Sequence, residues 1–222
     1  MSLLTGLVAY YKLDGNSNDS VGTNNGTDTA ITYSTANGKI GQGAGFNGTS
    51  SLISLGNVLS IFGAITISAW VYKTSTVVGS IVARGNGTNG IFDQYMLDGD
   101  GTNFRFYLYN GSTFLIATSP EIRNAWTHVV GVWSGGATPL QIYINGVKGT
   151  DSASFTGTQP TGTGVNIGKD NAGATQYFGG DIDEVAIYNR ALSASEVLQL
   201  FNAGLGNQYP FNTGASFFLN ML

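Results

Sequence analysis

Cysteine is absent from the 222 residues, which excludes a disulfide framework, a thiolate nucleophile and any cysteine-ligated metal, and leaves the redox compartment open. Charge is almost as scarce. Lys, Arg, Asp and Glu make up only 10% of the chain, against roughly 25% in ordinary soluble domains. Nine cations stand against thirteen acids, for a net charge of −4, and no basic cluster is present to track a phosphate backbone, so nucleic acid is excluded as a partner. Histidine occurs once, at His128. Long apolar runs are missing too, and nothing reaches the ~20 residues that a membrane-spanning helix needs. The opening "MSLLTGLVAYYKLDG" lacks the basic stretch, apolar stretch and small-residue cleavage site of a secretory signal. That reading leaves a protein acting where it is made, a module or mature piece exported by other means, or a virion component.

What is present is apolar and aromatic: 42% and 12% of the chain, with 33 glycines, enough for one well-filled core. Short runs recur at the spacing of an all-β sandwich: "LVAYYKL", "SLISL", "AITISAWVYK", "GSIVAR", "FRFYLYN", "TFLIATS", "WTHVVGVWS", "LQIYING", "GVNIGK" and "DIDEVAIYN". Asn-Gly pairs punctuate them, at Asn25-Gly26, Asn37-Gly38, Asn47-Gly48, Asn86-Gly87, Asn89-Gly90, Asn110-Gly111 and Asn145-Gly146. Several are expected as hairpin turns, because a type I′ turn needs positive φ at both central residues. "FYLYNGSTFLIA" is the clearest hairpin. One helix is predicted in "LSASEVLQLFNAG", with Ser193 and Glu196 as a capping box, Val197, Leu198, Leu200 and Phe201 on one face, and Gly204 just past the end. Residues 1–204 then read as one domain. Residues 205–222 read as an apolar tail, ending in Phe217, Phe218, Leu219, Met221 and Leu222, which is expected to dock on its own domain or join subunits into a homo-oligomer.

Chemistry-bearing residues are few. His128 shares a strand face with Trp126, Val130 and Val132 and reads as a structural histidine, and no Gly-x-Ser-x-Gly elbow marks a nucleophile. In "GGDIDEVAIYNRAL" strict alternation puts Ile182, Glu184, Ala186 and Tyr188 on one face and Asp181, Asp183, Val185 and Ile187 on the other. Either face brings a carboxylate toward a core, where it must find a cation, donors or a proton. The loop "LDGNSNDSVGTNNG" offers Asp14, Asn16, Asn18 and Asp19 as hard oxygen ligands, but Asp19 and Asn25 occupy the positions where an EF-hand requires Gly and Glu. "DGDGTN", with Asp98 and Asp100, reads as a hairpin turn.

The blocks "GLVAYYKLDGNSNDSVGTNNGT", "GFNGTSSLISLG", "AITISAWVY" and above all "GGDIDEVAIYNRALSASEVLQLFNAG" resemble the laminin-G-like, concanavalin A-like lectin/glucanase superfamily over about residues 5–204. The resemblance implies an all-β jelly-roll sandwich of two antiparallel sheets with one short C-terminal helix. It also implies a calcium ion held by Asp19 and Asp183, aided by main-chain carbonyls near Gly22 and Phe46. Ligands of such domains meet one sheet face or the loops at its rim, which makes Arg84, Tyr95, Asp98, Arg105 and Tyr107 the expected recognition residues. The superfamily includes glucanases, which resemble Glu-x-Asp-x-x-Glu along one strand. That run is missing here, so a non-catalytic module is expected. Its expected partner is a carbohydrate or a surface protein, and its expected location is extracellular, on a cell surface or on a virion. A structural assembly protein of a virion or appendage and a glycoside hydrolase are the alternatives.

Overall fold

The computed structural model describes residues 2–85, 94–170 and 176–211. In chain order its strands are β1 (Leu7–Tyr11), β2 (Thr27–Thr29), β3 (Thr32–Ser34), β4 (Gly43–Asn47), β5 (Leu52–Gly56), β6 (Ile65–Lys73), β7 (Gly79–Gly85), β8 (Tyr95–Gly99), β9 (Asn103–Tyr109), β10 (Phe114–Pro120), β11 (Trp126–Trp133), β12 (Gln141–Ile144), β13 (Val147–Lys148), β14 (Gly164–Ile167) and β15 (Gly179–Tyr188). One α-helix, α1 (Ala194–Phe201), follows. All ten runs singled out above form strands. Those without such a run, β2, β3, β4, β8 and β13, are short, exposed or glycine-bearing.

The strands build two antiparallel sheets. One has eight strands in the order β13-β12-β11-β6-β15-β4-β3, with β1 also paired to β15; the other has seven, β10-β9-β8-β7-β14-β5-β2. Between them lies the main core, with Ile67, Val71, Val129 and Ile182 from the first sheet facing Ile53, Leu97, Phe104, Phe106 and Ile167 from the second. This is the all-β sandwich that the recurring runs predicted and the jelly roll that the resemblance implied.

A second apolar layer covers the outer face of the eight-stranded sheet. Val197 and Leu200 of α1, with Phe211 beyond it, pack on Tyr10, Val130, Val132 and Tyr188, and burying each large side chain stabilises by about 1.5–3 kcal/mol. The helix begins with the expected capping box of Ser193 and Glu196 and ends at Asn202, whose left-handed φ of 48° serves as C-cap. Leu198 departs from expectation. It is exposed, because the apolar stripe meeting the sheet is narrow enough to be filled by Val197 and Leu200.

The turns are mixed. Asn145-Gly146 joins β12 to β13 with φ of 51° and 78°, the geometry expected of an Asn-Gly hairpin. "FYLYNGSTFLIA" is the β9–β10 hairpin, pairing Tyr109 with Phe114, but there only Gly111 has positive φ, while the Asn110 side chain accepts from the Ser112 and Thr113 amides. Asn25-Gly26 and Asn37-Gly38 contain no positive φ. Asn86-Gly87, Asn89-Gly90 and the apolar finish from Phe217 to Leu222 lie outside the described residues.

Candidate functional site

The acidic strand resolves its conflict with a β-bulge. Between Asp183, opposite Trp70, and Ala186, opposite Ser68, β15 carries one residue more than β6, and Glu184 takes the positive φ of 53°. The extra residue shifts the alternation by one. Ile182, Val185 and Ile187 therefore all enter the main core, while Ala186 and Tyr188 face the helix layer. Strict alternation had put Ile182 with Glu184, opposite Val185 and Ile187, and the bulge corrects that division.

Both acids beside the bulge are buried and satisfied. Asp183 accepts from the Lys39 and Ile40 amides at 2.8 and 2.9 Å through Oδ2 and from the Glu184 amide at 2.9 Å through Oδ1. Burial, with the Glu184 charge beside it, still pushes Asp183 up to about 8. Glu184 accepts from the Tyr10 hydroxyl and from Gln208 Nε2, and burial pushes it to about 7 against those hydrogen bonds. Asp19 is different. Its Oδ1 accepts from the Tyr10 and Val21 amides, and its Oδ2 from the Asn24 amide and side chain. Burial works to raise its pKa, but these donors hold it below the usual carboxylate value. Gly22 lies against this carboxylate, close enough that a Cβ there would meet Oδ2 at 2.8 Å. Phe46 sits in the core, edge-on to Phe178 at 6.2 Å. Among the described residues no three His, Asp or Glu side chains converge as metal donors.

The outer face of the seven-stranded sheet holds three of the five expected recognition residues. Alternation turns Leu97, Phe104, Phe106 and Leu108 inward and presents Asp98, Arg105 and Tyr107 on the opposite side. Asp98 and Arg105 are cross-strand partners. The guanidinium grips both carboxylate oxygens, Nε to Oδ1 at 2.9 Å and Nη2 to Oδ2 at 2.5 Å, and its Nη1 reaches Asp100 at 3.2 Å. Its carbon lies 5.7 Å from the Tyr107 ring centre. Burial pushes Asp98 up to about 6, against the pull of Arg105. Asp100 shapes the turn, as expected, by accepting from the Thr102 and Asn103 amides.

Arg84 and Tyr95 go elsewhere. They are cross-strand partners at the end of β7 and β8 and lie on the inner side, with Tyr95 in the main core. Arg84 is 1% exposed and donates to Val58 O, Asn57 Oδ1, Gly162 O and Gln94 Oε1. Tyr95 donates its hydroxyl to Leu59 O. Gln94 and Gln159, which sequence reasoning passed over, complete the same arrangement. Gln94 Nε2 donates to Ile61 O, and the Gly63 amide donates to Gln159 Oε1. Four buried polar side chains thus hold the loop of residues 57–64 from beneath. No sequence signal announces this, because glutamine carries no periodicity and an inward arginine shows only once the loop is in place.

A two-sheet antiparallel sandwich with a helix-covered outer face and a polar patch on the other defines the lectin-like jelly-roll class. The concanavalin A-like lectin/glucanases superfamily matches residues 46–198, and the chain belongs to it. A segment of 84 residues is 34% identical to the human adhesion G-protein coupled receptor D1, covering 36% of this chain and 10% of the receptor, so the chain spans about a tenth of that relative. Among solved structures, domain 4 of AbnA, a GH43 extracellular arabinanase from Geobacillus stearothermophilus in complex with arabinotriose, superposes with a TM-score of 0.68 at 23% identity, over 90% of this chain and 98% of that one. The binding domain of Paraclostridial Mosquitocidal Protein 1 gives 0.67 at 19% identity, over 90% and 52%. The binding domain of Botulinum Neurotoxin DC in complex with SialylT gives 0.68 at 13% identity, over 92% and 52%. These likenesses establish the fold.

Proposed function

We propose that the chain is a non-catalytic carbohydrate-recognition module, displayed outside cells or on a surface, with calcium as a stabilising ion. The observation that carries this reading is the Asp98–Arg105–Tyr107 group on the outer face of the seven-stranded sheet. A guanidinium that stays partly exposed while a buried carboxylate orients it offers planar donors to the hydroxyl edge of a sugar, and the Tyr107 ring beside it, itself buried against Phe114, braces that guanidinium from below. The solved relatives named as binding domains, and the two whose structures carry arabinotriose and SialylT, support the same reading. A glycosidase would need two carboxyls facing a sugar across several ångströms, whereas Asp98 and Asp100 both face Arg105.

The test is a glycan array probed with the wild type and with Arg105→Lys, which keeps a cation beside Asp98 but removes the planar fork. Wild-type signals that fall by about tenfold in the variant, equivalent to ~1.4 kcal/mol, are expected. A blank wild-type array, or a variant that binds as well as wild type, overturns the reading.

For calcium, the proposed donors are Asp19 and Asp183 with the carbonyls near Gly22 and Phe46. The chemistry of Asp183 supports it: a cation would let this buried carboxylate ionise at neutral pH, and among the described residues its Oδ1 holds a single amide donor. Asp19 fits less well, because its four N–H contacts occupy the four lone-pair sites of a carboxylate. An ion joining there would displace a donor such as the Asn24 amide group.

A further inference from the structure

We propose that residues 57–64 form a second ligand site, built on Phe62 and separate from the Asp98–Arg105 face, which takes a neutral oligosaccharide lying across two hollows. That the ligand is a saccharide rests on the function proposed above. The site itself rests on its geometry.

Phe62 is 57% exposed and stands between two hollows. One, of about 420 Å³, is bordered by Trp133, Thr156 and Thr158; the other, of about 440 Å³, by Ser60 and Asn189. Both volumes lie within the ~300–1,000 Å³ of small-molecule sites. A single exposed apolar side chain is ordinary on a protein surface and needs no function. This one differs in what lies beneath it. Arg84, Gln94, Tyr95 and Gln159 are all buried, and together they hold the backbone or side chains of Asn57, Val58, Leu59, Ile61 and Gly63. Of residues 57–63, all but Ser60 and Phe62 itself are held in this way. Leu59 is held at a left-handed φ of 54°, which branched residues rarely adopt.

Placing an arginine in the interior with four neutral acceptors and, among the described residues, no carboxylate costs free energy that a plain connecting loop would not require. Its effect is to fix the backbone on which the ring stands. A ring presented on a fixed backbone loses little conformational entropy when a partner settles on it.

The lining indicates which partner. None of the described residues bordering either hollow is charged, so an acidic or basic ligand would find no counter-ion among them. Hydroxyls and amides from Ser60, Thr156, Thr158 and Asn189 ring an aromatic centre, which suits a sugar unit stacked on Phe62 with its neighbours in the hollows on either side. A protein partner would instead need about 800 Å² of matching surface, and two hollows divided by a ridge do not offer a flat patch.

The experiment is calorimetric titration of neutral arabino-, xylo- and cello-oligosaccharides of increasing length into wild type, Phe62→Ala, Phe62→Trp and Arg105→Lys, with a thermal melt of each variant. Phe62→Ala is expected to weaken binding about tenfold or more with an unchanged melt, Phe62→Trp to retain it, and wild-type affinity to rise from monosaccharide to trisaccharide as the second hollow fills. Phe62→Ala binding like wild type overturns the second site. If Arg105→Lys alone abolishes binding, the sheet-face reading survives and this one falls; if Phe62→Ala alone does so, the reverse holds. No binding of any of these oligosaccharides to the wild type overturns this site, while the sheet-face reading stands or falls on the glycan array.

Discussion

His128 shows how burial sets the chemistry of a single residue. Its Nε2 lies 2.8 Å from Ser68 Oγ, its ring sits 5.1 Å from Trp70 and stacks on Phe201 at 6.2 Å, and Nδ1 finds no hydrogen-bond partner among the described residues. Burial alone pushes it down to about 3 from 6.5. The unfolded chain therefore takes a proton near pH 6.5 that the folded chain refuses until about pH 3. Stability is lost as pH falls through that window, by up to ~1.4 kcal/mol per pH unit. His128→Phe, which keeps an aromatic ring beside both Trp70 and Phe201, should lose less stability than wild type between pH 6.5 and 4 in urea titrations; parallel losses would show that other groups carry the acid sensitivity. The structural reading of this residue was available from its strand face alone. Asp98, Arg105 and Tyr107 were also readable in part, since period-two alternation already puts Arg105 and Tyr107 on the face opposite Phe104 and Phe106. Arg84 and Tyr95 were not, because their partners are loop carbonyls that sequence does not position.

At the scale of elements, α1 was readable down to its capping box, whereas β15 was readable only as a strand. The capping box of α1 sits in local sequence, but its function in the fold depends on Arg190. That guanidinium binds both Glu196 oxygens at 2.7 and 3.0 Å and also donates to Thr5 O and Ser2 O, tying the chain's start to the helix. Burial works to raise the Glu196 pKa, but the hydrogen bonds from Arg190 and Ser193 hold it down at about 2. Glu196→Gln should therefore cost roughly 1–3 kcal/mol at neutral pH. A group held below its unfolded value contributes fully above that value and loses the contribution as pH falls through the folded one. Denaturant midpoints of the two proteins should then converge as pH falls from about 4.5 toward 2, and a constant gap would mean that the charge is irrelevant. In β15 the strand was readable and its two faces were not. A bulge is one inserted residue, and nothing in "DIDEV" shows that Glu184 rather than a neighbour takes the positive φ.

For the whole molecule, the sandwich followed from ten recurring runs, whereas the short strands β2, β3, β4 and β13 are set by their partners and left no periodic trace. The proposed calcium ion acts at this scale, since it would join the loop of Asp19 to β15. If it binds only the folded chain, a free concentration of about 100 Kd should stabilise by ~2.7 kcal/mol, or ~5–10 °C in a domain of this size. Melts with calcium and with chelator read this directly, and superimposed curves would remove calcium from the proposal. The pairing of β15 also sets an order of events during synthesis. This strand has β6 along one side and shares its other side between β4 and β1, with Leu7 opposite Tyr188. Until residues 179–188 leave the ribosome, three earlier strands each keep an open edge, and open edges invite pairing with other chains. The eight-stranded sheet closes only once residues 179–188 have been made, so a product ending before Gly179 is an aggregation hazard rather than a smaller domain.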